Sequence, residues 1–212
     1  MCIEVIIPAY NEASVIGAVV AAARACPLVE RVHVVDDGSW DRTAEMARQA
    51  GAHVHVLASN QGKTAAILKG VEETTAAILV LLDGDLLGIE PVHIEHLAAP
   101  VLAGEAAMSV GVFKDGRWAT NLSQSLTPFL NGQRALRREL LHCLRGYAHR
   151  RYAADTLLSL YTWGQKLPVR MVPLPGLTHI MKEEKIGWVQ GFFSRLNMFY
   201  QVFLAFFAYL DK

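Results

Sequence analysis

The chain has 212 residues, of which 52% are hydrophobic and 19% are charged, which excludes a largely disordered protein. Lysine plus arginine and aspartate plus glutamate number 20 each, so no overall basic charge favours nucleic acid as a partner. The three cysteines show no CxxC spacing, which predicts reduced thiols rather than a zinc site. We see no signal peptide and no apolar stretch of the ~18 residues that a transmembrane helix needs, and we therefore expect a cytoplasmic protein.

Strand-like and helix-like segments alternate through the first half of the chain. Short apolar runs predict strands, and the alanine-rich or amphipathic segments between them predict helices. The predicted strands are residues 3–7, 32–35, 54–57 and the run that leads to Asp83; the predicted helices are residues 13–25, 42–51 and 63–74. This alternation is typical of βαβ units, so the predicted fold is α/β, with a mostly parallel central sheet flanked by helices.

The second half of the chain is less regular. It contains a predicted helix from Pro91, a strand over 107–112, helices over 134–144 and 155–163, and a strand over 169–174. Residues 113–133 mix glycine and polar residues with aromatic ones, as in a candidate substrate loop. The arginines that follow, at 134, 137 and 138, have helical spacing and would either bind an anionic acceptor or form a solvated face.

Residues 187–210 are dense in aromatic and aliphatic side chains and carry only Arg195 as a charge. We expect a hydrophobic C-terminal helix in this segment. Three interpretations stay open: peripheral contact with a membrane at its cytoplasmic face, a homodimer contact, or closure of the protein's own core.

Polar residues follow three of the predicted strands, in residues 8–12 (PAYNE), 36–39 (DDGS) and 83–85 (DGD). The carboxyl ends of parallel strands share one edge of an open sheet, so these residues should converge on one cleft. The aspartates of DDGS can accept hydrogen bonds from a nucleobase or a ribose. Those of DGD would point the same way if strand geometry continued, and they suit Mg²⁺ or Mn²⁺ shared with substrate phosphates. The alternative for each aspartate is capping of a helix or turn, which we prefer for Asp41.

Competing phosphate-binding motifs are incomplete. Gly62-Lys63-Thr64 is similar to the end of a P-loop, but Leu57 stands where that motif requires glycine. No GxGxxG follows the first strand and no GxSxG is present, which disfavours a dinucleotide site and a serine hydrolase.

Four motifs, in this order and spacing, resemble the nucleotide-sugar half of family 2 glycosyltransferases with a GT-A (Rossmann-like) fold. They are PAYNE, VVDDGSWDRT, QGKTAA and LVLLDGDL. The resemblance is close over about residues 3–90 and looser to about 185. It implies a glycosyltransferase domain over 1–185, with a nucleotide-binding half (1–90) and an acceptor half (91–185), followed by a hydrophobic extension over 186–212.

The same resemblance implies metal-dependent transfer of a sugar from a UDP- or GDP-sugar to an acceptor hydroxyl or phosphate. The QxxRW motif of processive polysaccharide synthases is absent from the sequence, so we expect a non-processive enzyme. Residues implied to bind the donor are Pro8, Ala9, Tyr10, Glu12, Asp37, Lys63, Asp83 and Gly84. Asp85 is implied to bind the Mg²⁺ or Mn²⁺ ion that bridges the diphosphate and thus to take part in catalysis.

The second half is similar, more weakly, to glucosyl-3-phosphoglycerate synthases. This similarity implies that Gly132, Gln133 and Arg134 face the sugar and the acceptor, that Asp155 is the active-site carboxylate, and that His179 is a further metal ligand. Asp155 would act as the base if the anomeric configuration inverts, and would position the substrate if it is retained. The segment before Asp155 departs from those synthases, so the acceptor stays open between a small anionic molecule and a lipid phosphate.

Two other classes of function remain at this stage. A sugar nucleotidyltransferase could also use metal-binding aspartates on an α/β sheet, although a glycine-rich basic loop would normally follow its first strand. A nucleotide-binding module of the same fold without activity is the second alternative.

Overall fold

The computed structural model of the protein describes residues 2–114 and 131–179. The first half consists of β1 (Ile3–Ala9), α1 (Ile16–Ala25), β2 (Val29–Asp36), α2 (Thr43–Gln49), β3 (His53–Val56), α3 (Lys63–Glu72) and β4 (Ile78–Leu81). The described part of the second half consists of β5 (Leu86–Leu87), α4 (Pro91–Leu102), β6 (Met108–Lys114), β7 (Arg134–Arg137), a 3₁₀ helix (Arg138–Leu144), α5 (Ala154–Gly164), β8 (Val169–Pro175) and β9 (Thr178–His179).

Seven of these strands form one sheet in the order β3-β2-β1-β4-β7-β6-β8. β7 runs antiparallel to both of its neighbours, and every other pairing in this sheet is parallel. The predicted mostly parallel sheet is therefore confirmed. Because β1, β2 and β4 are adjacent and parallel, the loops that follow them lie along the same edge.

The core lies on both faces of the sheet. Alternate residues of β1 point to opposite sides, so Ile7 packs in the cluster that contains α1 and α4, and Ile6 in the cluster that contains α3 and α5. Each such fully buried side chain contributes about 1.5–3 kcal/mol. α3 lies close to β1, since a Cβ at Gly70 would come within 2.5 Å of Ile6 Cγ2. This contact fixes the height of α3, and therefore of Lys63 at its start, above the sheet.

The predicted helix over 134–144 is wrong in its first part. Residues Arg134–Arg137 form β7, and only Arg138–Leu144 are helical, in a 3₁₀ conformation. The arginine and leucine spacing is typical of a helix, but β4 and β6 both offer unpaired edges that β7 satisfies from either side. Tertiary pairing therefore overrides the local pattern.

The strand also separates the three arginines. Arg134 pairs in register with Leu81 at the carboxyl end of β4, and Arg137 pairs with Ile78 at the opposite end. Arg138 donates hydrogen bonds to Val71 O, 2.7 Å away, and to Thr74 Oγ1, 2.7 Å away, which caps the end of α3. The expected shared anion-binding or solvated face of these arginines does not form.

Two expectations fall wholly or largely outside the described residues. One is the candidate substrate loop, apart from its ends. The other is the segment 187–210, for which contact with a membrane, with a second copy or with the core is predicted. The division at residues 185 and 186 is likewise outside those ranges. Within them, no helix is long and apolar enough to cross a bilayer.

Candidate active site

Lys63 lies at the centre of a charged cluster at the carboxyl edge of the sheet. Its Nζ is 2.7 Å from Asp83 Oδ1 and 2.7 Å from Asp155 Oδ2. Asp83 follows β4, and Asp155 lies in the first turn of α5. Burial alone would lower the pKa of Lys63, but Asp155 and Asp83 outweigh it and the pKa is raised. The ammonium therefore stays charged between two carboxylates.

The segment before β7 closes this cluster from one side. Gln133 Nε2 donates a hydrogen bond of 2.9 Å to Asp83 Oδ2. A Cβ at Gly132 would lie 2.5 Å from Lys63 Nζ and would clash with both oxygens of Asp83. A side chain at position 132 would therefore have to displace the Lys63–Asp83 pair from its present position.

Two buried acceptor atoms in the cluster have no hydrogen-bond partner among the described residues, Asp155 Oδ1 and Gln133 Oε1. Buried polar atoms are normally paired, so these two oxygens are unusual. Asp155 belongs to the charged cluster, and Gln133 donates a hydrogen bond to its member Asp83.

The β1–α1 and β2–α2 loops are held together by side chains of one loop and backbone N–H groups of the other. The hydrogen bonds run from Asn11 N–H to Ser39 Oγ (2.9 Å), Trp40 N–H to Asn11 Oδ1 (3.1 Å), Glu12 N–H to Thr43 Oγ1 (2.8 Å) and Ala13 N–H to Asp41 Oδ2 (3.2 Å). Asp41 also accepts a 2.9 Å hydrogen bond from Thr43 N–H at the start of α2. The structural role preferred for Asp41 is therefore confirmed, and the PAYNE backbone is fixed in place.

Asp37 supports the loop that leads to Lys63. Its Oδ1 accepts a hydrogen bond of 2.7 Å from Gln61 N–H, and its Oδ2 accepts one of 2.8 Å from Gly62 N–H. The carboxylate is 4% exposed, and burial raises its pKa. Asp37 therefore shapes the β3–α3 loop. Any contact between Asp37 and a nucleobase would be made next to this loop.

The predicted donor-binding residues of β1 lie along the same edge. Ala9 is buried at the end of the strand, and Tyr10 is 42% exposed beside it. A Cβ at Gly84 would lie 3.2 Å from Ala9 Cβ and 3.2 Å from Pro8 O, so the DGD turn rests directly on the end of β1. Glu12 follows in the β1–α1 loop, and its N–H donates a hydrogen bond to Thr43 Oγ1. The structure therefore brings the sequence-predicted donor residues together.

Asp85 lies directly before β5, and His179 lies on β9, the strand that pairs with β5. β4 ends at Leu81, so Asp83 and Asp85 lie in a turn, and the strand geometry that would point them the same way does not continue. β5 pairs antiparallel with β9, with Leu86 opposite His179. The backbone of His179 is thus next to the Asp85 turn, as a shared metal site would require.

The donor set suits the predicted ion. A carboxylate oxygen and an imidazole nitrogen, completed by diphosphate oxygens, are ligands that Mn²⁺ and Mg²⁺ accept. The described side chains, which do not include that of His179, contain no group of three His, Cys, Asp or Glu residues arranged for a metal. Substrate oxygens would therefore complete the coordination.

Local sequence patterns gave no sign of the contacts that bring Asp155 to Lys63. Ala153 N–H donates to Thr64 Oγ1 (3.2 Å), and Thr64 N–H donates to Arg151 O (3.3 Å). A Cβ at Gly62 would lie 2.6 Å from Arg151 Cα, so the start of α5 lies tightly against the start of α3. These contacts join segments 89 residues apart, which no short motif reveals.

Arg134 does not line the open side of the cluster. It is fully buried behind Asp155, with Nε 3.6 Å from Asp155 Oδ1. This position differs from the sugar- or acceptor-facing one that the resemblance implies.

Comparison with known proteins identifies relatives of this chain. It is 31% identical over 120 residues to glucosyl-3-phosphoglycerate synthase of Mycobacterium tuberculosis, covering 52% of the chain and 37% of the relative. It is 32% identical over 125 residues to undecaprenyl-phosphate 4-deoxy-4-formamido-L-arabinose transferase of Pseudomonas paraeruginosa, covering 54% and 36%. It is 44% identical over 82 residues to glycosyltransferase AglJ of Haloferax volcanii, covering 38% and 26%. The chain therefore spans only 26% to 37% of the length of these relatives.

Solved structures share the fold over a larger part. The crystal structure of glucosyl-3-phosphoglycerate synthase from Mycobacterium tuberculosis with Mn²⁺, UDP and glucosyl-3-phosphoglycerate superimposes with a TM-score of 0.66 at 27% identity, covering 84% of this chain and 72% of that one. Another structure of the same synthase contains Mg²⁺ and UDP, with a TM-score of 0.67 and 26% identity, covering 84% and 71%. These likenesses confirm the predicted GT-A fold.

The family described as Glycosyl transferase family 2 matches residues 4–158, a stretch that runs from β1 into the first half of α5 and includes the Lys63, Asp83 and Asp155 cluster. The predicted family is therefore confirmed. The chain belongs to glycosyl transferase family 2.

Proposed function

We propose that this protein transfers a sugar from a UDP- or GDP-sugar to an acceptor hydroxyl or phosphate, non-processively and with Mg²⁺ or Mn²⁺. The observation that carries the proposal is the convergence of Lys63, Asp83 and Asp155 at the carboxyl edge of a family 2 sheet. The Mn²⁺ and UDP bound to the structurally similar synthase support the same ligand classes here.

The donor's sugar would lie against the charged cluster. The partly exposed carboxylates of Asp83 and Asp155 would accept hydrogen bonds from sugar hydroxyls, and Lys63 would add positive charge near the phosphates. The β1–α1 and β2–α2 loops are hydrogen-bonded to each other and would supply a rigid backbone beside the nucleoside. Binding to a preformed site reduces the ordering cost of the substrate.

The metal would be held by Asp85 and His179. When bound, Mn²⁺ or Mg²⁺ supplies Lewis-acid neutralisation of the charge on the leaving diphosphate. Asp85 is the hard oxygen ligand of this pair, and the β5–β9 pairing keeps the backbone of His179 beside its turn. Removing the Asp85 carboxylate should therefore weaken nucleotide binding only when metal is present.

The contacts of Asp155 favour a positioning role over that of a general base. One carboxylate oxygen is 2.7 Å from the Lys63 ammonium, and the other is 3.6 Å from the Arg134 guanidinium. Taking a proton from the acceptor would give up this stabilisation by two cations. We therefore infer that Asp155 orients the sugar, as fits retention of configuration.

The acceptor that we propose carries a phosphate. The relatives' names include a phosphoglycerate and an undecaprenyl phosphate, so both a small anionic molecule and a lipid phosphate are supported classes. We place the reaction in the cytoplasm; a lipid acceptor would place it at the cytoplasmic face of a membrane.

The test is nucleotide release from UDP-glucose, UDP-galactose and GDP-mannose with Mn²⁺, with 3-phosphoglycerate or undecaprenyl phosphate as acceptor. We expect metal-dependent release from one donor, stimulated by one acceptor. If none of these donors is turned over, and pyrophosphate is instead released from UTP and a sugar 1-phosphate, the protein is a nucleotidyltransferase. No turnover in either assay would indicate a module without activity.

A further inference from the structure

Arg134 is an unusual residue for the centre of a sheet. It lies on β7 between β4 and β6 and is 0% exposed. Its Nε donates a hydrogen bond of 2.9 Å to Asn131 O, and its Nη1 donates one of 3.0 Å to Ser159 Oγ. Its Nε is also 3.6 Å from Asp155 Oδ1. The guanidinium therefore connects the turn before β7 with the first two turns of α5.

Burying this cation is costly, and the fold alone does not require it. Removing a charged group from water costs several kcal/mol, and an apolar side chain of similar volume is often as stable at such a position. Burial lowers the pKa of Arg134, while Asp155 and Asp83 act in the opposite direction. Among the described ion pairs, the carboxylate nearest to Arg134 is that of Asp155. The positive charge of Arg134 therefore acts mainly on the active site.

Ser159 links the same two residues by a second route. Its Oγ accepts the hydrogen bond from Arg134 Nη1 and donates one of 2.9 Å to Asp155 O. The backbone of Asp155 is held through Ser159, and its carboxylate is attracted to the guanidinium directly. Asp155 is thus fixed from behind, with Lys63 on its other oxygen.

We propose that Arg134 is a positioning residue, which holds the Asp155 carboxylate with Oδ1 toward the guanidinium and Oδ2 toward Lys63, the orientation in which Asp155 meets the donor's sugar. Without Arg134, the carboxylate would be free to rotate and place both oxygens toward the ammonium. This inference rests on the proposed function. It assigns Arg134 to the support of a catalytic carboxylate and not to contact with the sugar or the acceptor.

The first arm of the test is kinetic and uses R134K, which keeps the charge but not the planar fork of donors. Misplacing a substrate-orienting group by about 1 Å costs up to about 100-fold. We therefore expect kcat for nucleotide release from the active donor to fall about 10- to 100-fold, with the donor KM changed less than about threefold. R134M should be lower still, and R134K should thus show partial rescue relative to it.

The matched control is R137K. Arg137 lies on the same strand, at the opposite edge of the sheet about 10 Å away, and is 47% exposed beside Glu139. We expect kcat within twofold of the wild type for this variant. A rise in donor KM with unchanged kcat in R134K would indicate direct sugar contact and would overturn the proposal.

The second arm does not depend on activity. A crystal structure of R134K without substrate should show the Asp155 carboxylate rotated away from its wild-type orientation, and an unmoved carboxylate would overturn the proposal. If the wild type neither binds nor turns over any nucleotide sugar, the proposed function fails, but this structural comparison still decides whether Arg134 orients Asp155. If R134M does not fold, R134K alone carries both arms.

Discussion

Lys63 Nζ and Asp155 Oδ2 are 2.7 Å apart although the two residues are separated by 92 positions in the sequence. The pair joins the start of α3, in the first half of the chain, to the start of α5 in the second half. Because Lys63 also contacts Asp83, three elements of the fold meet at one ammonium group. Donor binding would therefore be sensitive to the packing of both halves.

The first prediction concerns the charge of Lys63. K63M should abolish turnover and lower the free energy of unfolding by up to about 3 kcal/mol, because the partly buried carboxylates of Asp83 and Asp155 would lose the cation that they share. K69M is the control on the same helix, since Lys69 forms a solvent-exposed pair with Glu73, and exposed ion pairs contribute little to stability. Chemical denaturation measures both variants.

A double variant separates charge from packing. K63M/D83N should be more stable than K63M, because position 83 then carries no charge in the absence of Lys63, while Asp155 still faces Arg134. Equal stability of the single and double variants would contradict the charge argument and point to lost packing.

The second prediction concerns the space at Gly132. G132A should lower kcat by about 10- to 100-fold, because its Cβ would displace the Lys63–Asp83 pair. G17A is the matched control: no atom lies within 4 Å of a Cβ at that helical position, so activity should be unchanged. Steady-state nucleotide release measures the effect, and wild-type activity of G132A would show that the cluster tolerates displacement.

The third prediction concerns acid stability and three histidines on β2 and β3. His33 is 3% exposed, and its Nδ1 lies 3.3 Å from His55 Nε2; its ring also lies against that of His53. Burial lowers the pKa of His33, the neighbouring histidines add to this, and Glu4 opposes it. Burial also lowers the pKa of His55.

Because the folded-state pKa values of His33 and His55 are lowered, the unfolded chain binds more protons below about pH 6.5. Their contribution to stability is complete above that pH and is lost as the pH falls through the folded-state pKa values. Denaturation curves between pH 7.5 and pH 5 should show this decrease, and it should be smaller in H33Q. His96 is exposed, so the control variant H96Q should keep the wild-type pH dependence of stability. An unchanged pH dependence of stability in H33Q would contradict the role assigned to His33.

Much of the structure of the first half of the chain could be predicted from the sequence because its signals are local. The strands β1, β2 and β4 are apolar runs closed by polar residues, and parallel order then places Glu12, Asp37 and Asp83 along one edge. Arg42 is the N-cap residue of α2, and the hydrogen bond that Asp41 accepts from Thr43 N–H beside it has the same local origin.

The second half was less predictable because its structure depends on distant partners. β7 has the residue spacing of a helix and becomes a strand only by pairing with β4 and β6. The burial of Arg134 follows from that pairing, as does its separation from Arg137. The Lys63–Asp155 contact depends on the docking of α5 on α3, for which no short motif exists.

Metal-dependent nucleotide binding is tested by calorimetry of UDP and GDP, with and without Mn²⁺, on the wild type and on D85A. We expect one nucleotide to bind in a Mn²⁺-dependent manner and D85A to lose this dependence. Absence of nucleotide binding by the wild type with Mn²⁺, or Mn²⁺-dependent binding that D85A retains in full, would contradict the proposal.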